Sequence, residues 1–148
     1  MNKQSPERIK DVAMEFDNAI EAKDIRKVVA AFADDCEIEL LGLTLEGKTG
    51  VKKWIEWLFQ NIPEIEFEPV TIMVDGNVFF EEFIVTTRLP SGKTIRSKQA
   101  EVLVYEDYKI KSLRLYFDRL DFSDLIARGF ISQRVVGYVK TQSLRGLV

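Results

Sequence analysis

Apolar side chains recur at helical spacing through the first part of the chain. Ser5 can cap a first helix and Pro6 suits its first turn, so a helix is predicted near residues 5–22. Its apolar face consists of Ile9, Val12, Ala13, Phe16, Ala19 and Ile20. Asp24 can cap a shorter helix near residues 24–33, and Thr49 can cap a third near residues 48–61.

Alternating apolar and polar positions predict a strand near residues 36–41, with Cys36, Ile38 and Leu40 on one face. Four longer strands follow Pro63, and they are predicted near residues 64–74, 77–89, 94–106 and 110–118. Because the short turn sequences DGN, PSG and EDYK join them, these strands form an antiparallel meander. The predicted fold class is therefore α+β, with a curved antiparallel or mixed sheet wrapped by three N-terminal helices.

The chain is expected to form a single domain over residues 1–128, followed by a tail over residues 129–148. The tail is interpreted as an extra strand, a lid, or a strap onto a second subunit. No acidic residue follows Asp124, so residues 125–148 carry a charge of +4, and by difference from the net charge of −3 the remainder carries −7. Its basic residues are Arg128, Arg134, Lys140 and Arg145.

Composition excludes several classes of protein. Apolar residues make up 46% of the chain and charged residues 30%, which is ordinary for a globular domain. No apolar run is long enough for a membrane span, and the net charge of −3 gives little support for nucleic-acid binding. Because the N-terminal sequence lacks a secretory signal and Cys36 has no disulfide partner within the chain, a cytoplasmic location is expected.

The chain has no histidine and one cysteine, which argues against a zinc site and against a histidine-activated nucleophile. Gly42, Gly47 and Gly50 do not form a phosphate-binding loop. Neither a metal nor a cofactor is expected.

Three segments carry a resemblance to a known superfamily: DIRKVVAAFADDCEIE, EGKTGVKKWIEWL and LRLYFDRLDFSDL. Together with the meander, they resemble the nuclear transport factor 2-like superfamily, in particular its SnoaL-like and ketosteroid isomerase-like branches. The likeness covers roughly residues 5–127. It implies a cone-shaped, cystatin-like fold that holds a ligand inside the cone.

The resemblance to ketosteroid isomerases implies three functional positions. The tyrosine that donates a hydrogen bond falls on Phe16, the aspartate base falls on Leu40, and the second acid falls on Glu101. A phenylalanine cannot donate and a leucine cannot accept a proton, so isomerisation by that mechanism is not expected.

Limonene epoxide hydrolases share the cone and use an Asp-Arg-Asp arrangement, whose positions fall here on Leu115, Val85 and Thr87. None of the three is preserved, although a one-residue slip in the alignment would offer Asp118 instead. SnoaL-like polyketide cyclases require a single acid or base near the end of the sheet. Either Glu101 or Asp118 can fill that role.

Both carboxylates also have simpler interpretations. Glu101 can be a solvated carboxylate at the rim of the sheet, and Asp118 can belong to an ion-pair network at a strand end. The run FFEEF at residues 79–83 is interpreted as an exposed sheet face with an acidic rim.

The function predicted from the sequence is binding of a small apolar or aromatic molecule in a mostly apolar pocket. One alternative is a SnoaL-like cyclase or isomerase that uses Glu101 or Asp118, and another is a structural or regulatory dimer with a filled pocket. The pocket is predicted to be lined by Phe16, Leu40, Trp54, Val85, Thr87, Glu101, Leu103 and Leu115.

A homodimer is also expected. The strands carry large apolar side chains on both faces, such as Phe79 and Phe80, and one layer of helices covers only one face. Pairing through the outer face, with help from the basic tail, would bury the other.

Overall fold

The computed structural model describes residues 3–148. Three helices precede most of the sheet, and a 3₁₀ turn (Arg119–Phe122) and two further helices follow it. The helices are α1 (Pro6–Glu21), α2 (Ile25–Ala30), α3 (Gly47–Asn61), α4 (Ser123–Ile126) and α5 (Phe130–Ser143).

Six strands form one sheet in the order β2-β1-β6-β5-β4-β3. They are β1 (Phe32–Leu40), β2 (Leu43–Glu46), β3 (Glu66–Asp75), β4 (Val78–Arg88), β5 (Thr94–Glu106) and β6 (Lys109–Phe117). Strands β3 to β6 form an antiparallel meander, and β1 joins it by pairing in parallel with β6. The predicted α+β class is confirmed, with a mixed, curved and unclosed sheet.

Helix α1 crosses the concave face of the sheet and packs on β3 and β4. Its start is tied to the β5–β6 turn, because the Gln4 side chain donates to the Tyr105 carbonyl and accepts from the Tyr108 amide, both at 2.8 Å. Its end is tied to β3, because the Phe67 amide donates to Glu21 Oε1 at 2.8 Å. These ties fix the helix at both ends and set which side chains face the interior.

An aromatic cluster joins α1 and α3 to strand β1. The ring centroids of Phe16 and Phe32 lie 5.5 Å apart in an edge-to-face arrangement, and those of Phe16 and Trp54 lie 6.5 Å apart. All three side chains are buried. Edge-to-face and offset contacts of this kind stabilise aromatic pairs beyond the area that they bury.

The turn between β2 and α3 depends on two glycines. Gly47 has a φ of 66°, a left-handed conformation that glycine adopts without strain. A side chain at Gly50 would come within 3.1 Å of Leu45, so α3 lies directly against β2. This close approach brings the buried side of α3, including Trp54, over the sheet.

Several boundaries differ from the sequence-based expectation. Helix α2 ends at Ala30, and residues 32–35 belong to β1. Helix α3 begins at Gly47, so Thr49 lies in its first turn and is not its cap. Within residues 3–148, no helix is both long enough and apolar enough to cross a membrane.

The tail forms a helix, so the interpretation of this segment as an extra strand is wrong. Helix α5 makes hydrogen bonds to α4 and to the residue after it: Lys140 Nζ donates to Ser123 Oγ, and the Gln133 side chain donates to the Ala127 carbonyl. The apolar residues Ile131, Val135 and Tyr138 are 57–78% exposed. The helix therefore turns a polar side toward its own domain and an apolar stripe toward solvent.

Candidate functional site

A cavity of about 230 Å³ lies between α1, α3 and the concave face of the sheet. Phe16, Trp54 and Leu113 are buried on its wall, which is mostly apolar. The exposed side chains on its wall include Trp57 of α3, Arg119 of the 3₁₀ turn and Arg128, which follows α4. The cavity therefore opens between the end of α3 and the segment after β6, and its closed end lies under α1.

Six of the eight residues predicted to line a pocket lie on the wall of this cavity: Phe16, Leu40, Trp54, Val85, Glu101 and Leu115. The other two, Leu103 and Thr87, are buried but do not line it. Phe16, Leu40 and Leu115 border open space and do not fill the cone.

Glu101 is buried at the closed end, with 5% of its surface exposed, so its interpretation as a solvated rim carboxylate is wrong. It lies directly opposite Glu81 on β4 and opposite Leu115 on β6. Asp17 on α1 completes a cluster in which one carboxylate oxygen from each acid lies within 4.8 Å of the other two. Asp17 and Glu101 line the cavity, and Glu81 lies behind them.

Burial is the main electrostatic influence on this cluster, because a charged carboxylate loses its hydration there. Burial and the charges of Glu101 and Glu81 raise the pKa of Asp17 to about 10. Burial and the charge of Glu81 raise the pKa of Glu101 to about 8. Burial raises the pKa of Glu81 to about 6, an increase limited by a hydrogen bond with Asp17. At neutral pH the cluster therefore holds protons on Asp17 and Glu101, and Glu81 carries most of the negative charge.

Tyr105 lies on the same inward face of β5 as Glu101, four residues further along the strand, and it lines a separate cavity between α1 and the β5–β6 turn. Its hydroxyl is buried and makes no hydrogen bond with any described residue. Burial and the charges of Glu101, Asp17 and Glu81 raise its pKa above the ordinary value. Glu81 Oε1 also has no hydrogen-bond partner among residues 3–148.

Asp118 lies outside the cavity. It is exposed, and its Oδ1 accepts a hydrogen bond of 2.9 Å from the Leu120 amide, so it caps the 3₁₀ turn. The nearby Asp121 accepts from Ser97 Oγ at 2.8 Å. The structure thus separates the two carboxylates that the sequence offered as acid or base, and it brings only Glu101 to the cavity.

Asp17 and Glu81 are members of the cluster that sequence reasoning did not find. Glu81 had a usable signal, because strand alternation places it on the same face as Phe79 and Phe83. The interpretation of FFEEF as an exposed face is therefore wrong for Glu81 and correct for Glu82, which is exposed. Asp17 follows Phe16 at the edge of the apolar face of α1, where helical spacing alone does not decide burial.

The three carboxylates are the residues most suited to hold a cation, since their oxygens are close enough to contact one ion together. The sequence had predicted no metal, because it lacks the histidine and cysteine ligands typical of zinc. Carboxylates from three separate elements give no linear motif, so this grouping becomes visible only in the fold.

The chain belongs to the SnoaL-like domain family, whose sequence profile matches residues 13–113. Among curated protein sequences, none matches the chain significantly.

Solved structures share the fold. One is a nuclear transport factor 2-like protein of unknown function from Burkholderia pseudomallei, with 20% identity and a TM-score of 0.72, and the match covers 80% of this chain and 97% of that one. Another, described as a candidate SnoaL-like polyketide cyclase from Jannaschia, has 14% identity and a TM-score of 0.74 over 88% and 100% of the two chains. A third, an epoxide hydrolase from M. tuberculosis of the limonene epoxide hydrolase type, has 21% identity and a TM-score of 0.69 over 88% and 97%. At these identities the likeness supports the fold and not a shared reaction.

The buried cluster predicts that the stability of the protein falls as the pH rises. In an unfolded chain these carboxyls ionise near pH 4, whereas the folded protein keeps protons on Glu101 and Asp17 to about pH 8 and 10. The folded state therefore binds more protons than the unfolded state in this window. For each such proton, the free energy of unfolding falls by up to about 1.4 kcal/mol for every unit by which the pH rises. Urea unfolding between about pH 5 and pH 8 measures this slope.

In the same experiment, Glu101→Gln should flatten the dependence on pH and raise the stability at pH 8. Glu82→Gln is the matched control, because Glu82 is the neighbour of Glu81 on the opposite, exposed face of β4. Equal slopes for Glu101→Gln and Glu82→Gln would contradict the proposed protonation of the cluster.

Proposed function

We propose that this protein binds a small, mostly apolar molecule in the cavity, with the polar group of that molecule against Glu101 and Asp17. The observation that carries the proposal is an apolar cavity with two carboxyl groups at its closed end, the buried Glu101 and the half-buried Asp17. Buried polar groups normally have partners, and a ligand entering the cavity can supply one.

The size of the cavity limits the ligand. Its volume of about 230 Å³ is below the range of about 300–1,000 Å³ typical of sites for drug-sized molecules. A molecule with one aromatic or aliphatic ring fits this space. This open volume also favours a binding role over the alternative of a structural dimer with a filled pocket.

Benzyl alcohol is a suitable neutral probe, because it combines one ring with one hydroxyl group. Titration calorimetry should detect its binding to the wild-type protein, and Leu115→Trp should weaken that binding at least tenfold by filling the cavity. Leu43→Trp is the control, since Leu43 is 61% exposed on β2 and does not line the cavity. Equal binding by the two variants would place the probe elsewhere.

A second candidate function is acid-base catalysis of the SnoaL-like type, with Glu101 as the residue that transfers a proton. The observation that favours it is the position of Glu101 on the cavity wall with a pKa raised by burial to about 8. A carboxyl group with a pKa near the working pH can both donate and accept a proton. Asp118, the other candidate from the sequence, is too exposed and lies off the cavity wall.

Exchange of the α-protons of phenylacetone in D₂O, followed by proton NMR, measures this activity. The wild-type protein should accelerate the exchange, with a rate that rises with pH as Glu101 ionises near pH 8. Glu101→Gln should lower the enzyme-dependent rate by a factor of about 10² to 10⁴, whereas Glu82→Gln should leave it unchanged. An exchange rate that survives in Glu101→Gln would remove Glu101 from the reaction.

We also propose that two copies pair through the outer face of the sheet. Met73, Phe80 and Val102 are register neighbours there, and Met73 is 57% exposed. The apolar stripe of α5 offers a further surface, and the charge of +4 over residues 125–148 complements the −7 of the rest of the chain. Contiguous exposed apolar patches of this kind commonly mark interaction surfaces.

Light scattering at micromolar concentration should give about twice the chain mass. Val102→Lys should shift the protein to a monomer, because it places a charge in the centre of the apolar row. Thr94→Lys, an exposed position at the end of the same strand, should remain dimeric. A wild-type monomer, or a Val102→Lys dimer as stable as the wild type, would refute pairing through this face.

A further inference from the structure

The acid cluster at the closed end of the cavity has no internal counter-charge. Among residues 3–148, no lysine or arginine forms an ion pair or hydrogen bond with Asp17, Glu81 or Glu101. Glu21 on α1 adds a further negative charge in the vicinity. Buried carboxylates are normally paired, so the missing partner is a notable feature of the site.

Two buried polar atoms, one of them in the cluster, also lack hydrogen-bond partners. The Tyr105 hydroxyl is 1% exposed and makes no hydrogen bond, and Glu81 Oε1 is equally without one. Glu81 lies behind Asp17 and Glu101, and Tyr105 lines a separate cavity between α1 and the β5–β6 turn, so neither faces the ligand space directly. The carboxyl groups of Asp17 and Glu101, with Glu81 behind them, form an acceptor-rich end to the cavity.

Aromatic and apolar side chains surround this acceptor-rich end. Phe16 and Trp54 form part of the cavity wall with their rings 6.5 Å apart, and Phe83 lies on the opposite, sheet side. Aromatic faces attract organic cations through their quadrupoles. A hard metal ion such as Ca²⁺ takes six to eight oxygen ligands, and these rings offer none. The surroundings therefore favour an organic cation over a metal ion.

The positive side chains on the cavity wall lie at its mouth and not at its closed end. Arg119 and Arg128 are both exposed, so solvent screens their charges. The field inside the cavity is therefore set by Asp17 and Glu21 from α1, Glu81 from β4, and Glu101 and Tyr105 from β5.

We propose that the cavity selects a small amine, with its ammonium group between Asp17 and Glu101 and its apolar ring against Phe16 and Trp54. This inference rests on the proposed binding function and specifies the chemistry of the ligand. The ammonium group supplies the counter-charge that the protein lacks and donates hydrogen bonds to the carboxylate oxygens of Asp17 and Glu101, which line the cavity. A carboxylate ligand of the same shape would add a negative charge to the cluster and is excluded by repulsion.

Three probes with the same ring separate these outcomes: benzylammonium, benzyl alcohol and benzoate. Titration calorimetry at pH 7.5 should show benzylammonium binding at least tenfold more tightly than benzyl alcohol, with benzoate the weakest. Binding of the amine should release protons to the buffer, because it favours the ionised form of acids that are protonated in the free protein. Its affinity should therefore rise between pH 6 and pH 8.

Variants test which residues provide the selectivity. Glu101→Gln and Glu81→Gln should each weaken benzylammonium binding at least fivefold more than they weaken benzyl alcohol binding, because only the ammonium group depends on the negative charge that these changes remove. Glu82→Gln should bind all three probes as the wild type does. Urea unfolding of each variant establishes that it is folded, and the two separate positions keep the test decisive if one variant fails to fold.

The result that overturns the inference is benzyl alcohol or benzoate binding as tightly as benzylammonium. If Leu115→Trp still weakens benzyl alcohol in that case, the proposed binding function stands without the amine selectivity. Failure of all three probes to bind the wild-type protein would overturn both. Binding of Mg²⁺ or Ca²⁺ alone at micromolar concentration, in competition with benzylammonium, would assign the cluster to a metal ion instead.

Discussion

The position of α1 across the concave face of the sheet determines most of the interior. Hydrogen bonds hold its two ends, with Gln4 on the β5–β6 turn and Glu21 on β3, so the helix cannot shift along the sheet without breaking one of them. Phe16 then meets Phe32 and Trp54 and supports one side of the cavity. The next residue, Asp17, is brought against the carboxyls of β4 and β5. The same helix therefore builds both the apolar wall and the acidic end.

The buried acid cluster destabilises the folded state, and burial of the surrounding apolar side chains must offset this. Two ionised carboxylates directly opposite one another on neighbouring strands would be destabilising, and Glu81 and Glu101 avoid this at neutral pH because Glu101 keeps its proton. The neighbouring positions on the same face are Phe79, Phe83 and Leu103, whose burial is favourable. Local choices that oppose stability tend to occur at functional sites, and here Asp17 and Glu101 line the cavity beside the aromatic cluster, with Glu81 behind them.

The sequence was sufficient for the elements whose periodicity is unambiguous, such as α1, α3 and the meander. It also placed Glu101 among the cavity residues, through a resemblance to a family. It was not sufficient for the tail, where strand and helix patterns compete. The β-branched residues Val135, Val136 and Val139 favour a strand. Ile131, Val135 and Tyr138 also recur at helical spacing, and the segment forms a helix. The acid cluster could not be predicted from the sequence, because it depends on contacts between α1, β4 and β5, whose residues are far apart in the chain. Alternation alone indicated an inward Glu81, but it contained no information on Asp17.

The parallel pairing of β1 with β6 joins residues 32–39 to residues 110–114. Strands β3 to β6 are neighbours in the chain, so their hairpins can form through short loop closures. The β1–β2 hairpin can join them only after β6 has been synthesised, since β6 is its partner in the sheet. The sheet can therefore be completed only when residues 32–39 close a long loop onto β6, and loop closure costs more entropy as the loop lengthens. During synthesis on the ribosome, the aromatic side chains of α1 and α3 therefore stay uncovered until β6 has been made.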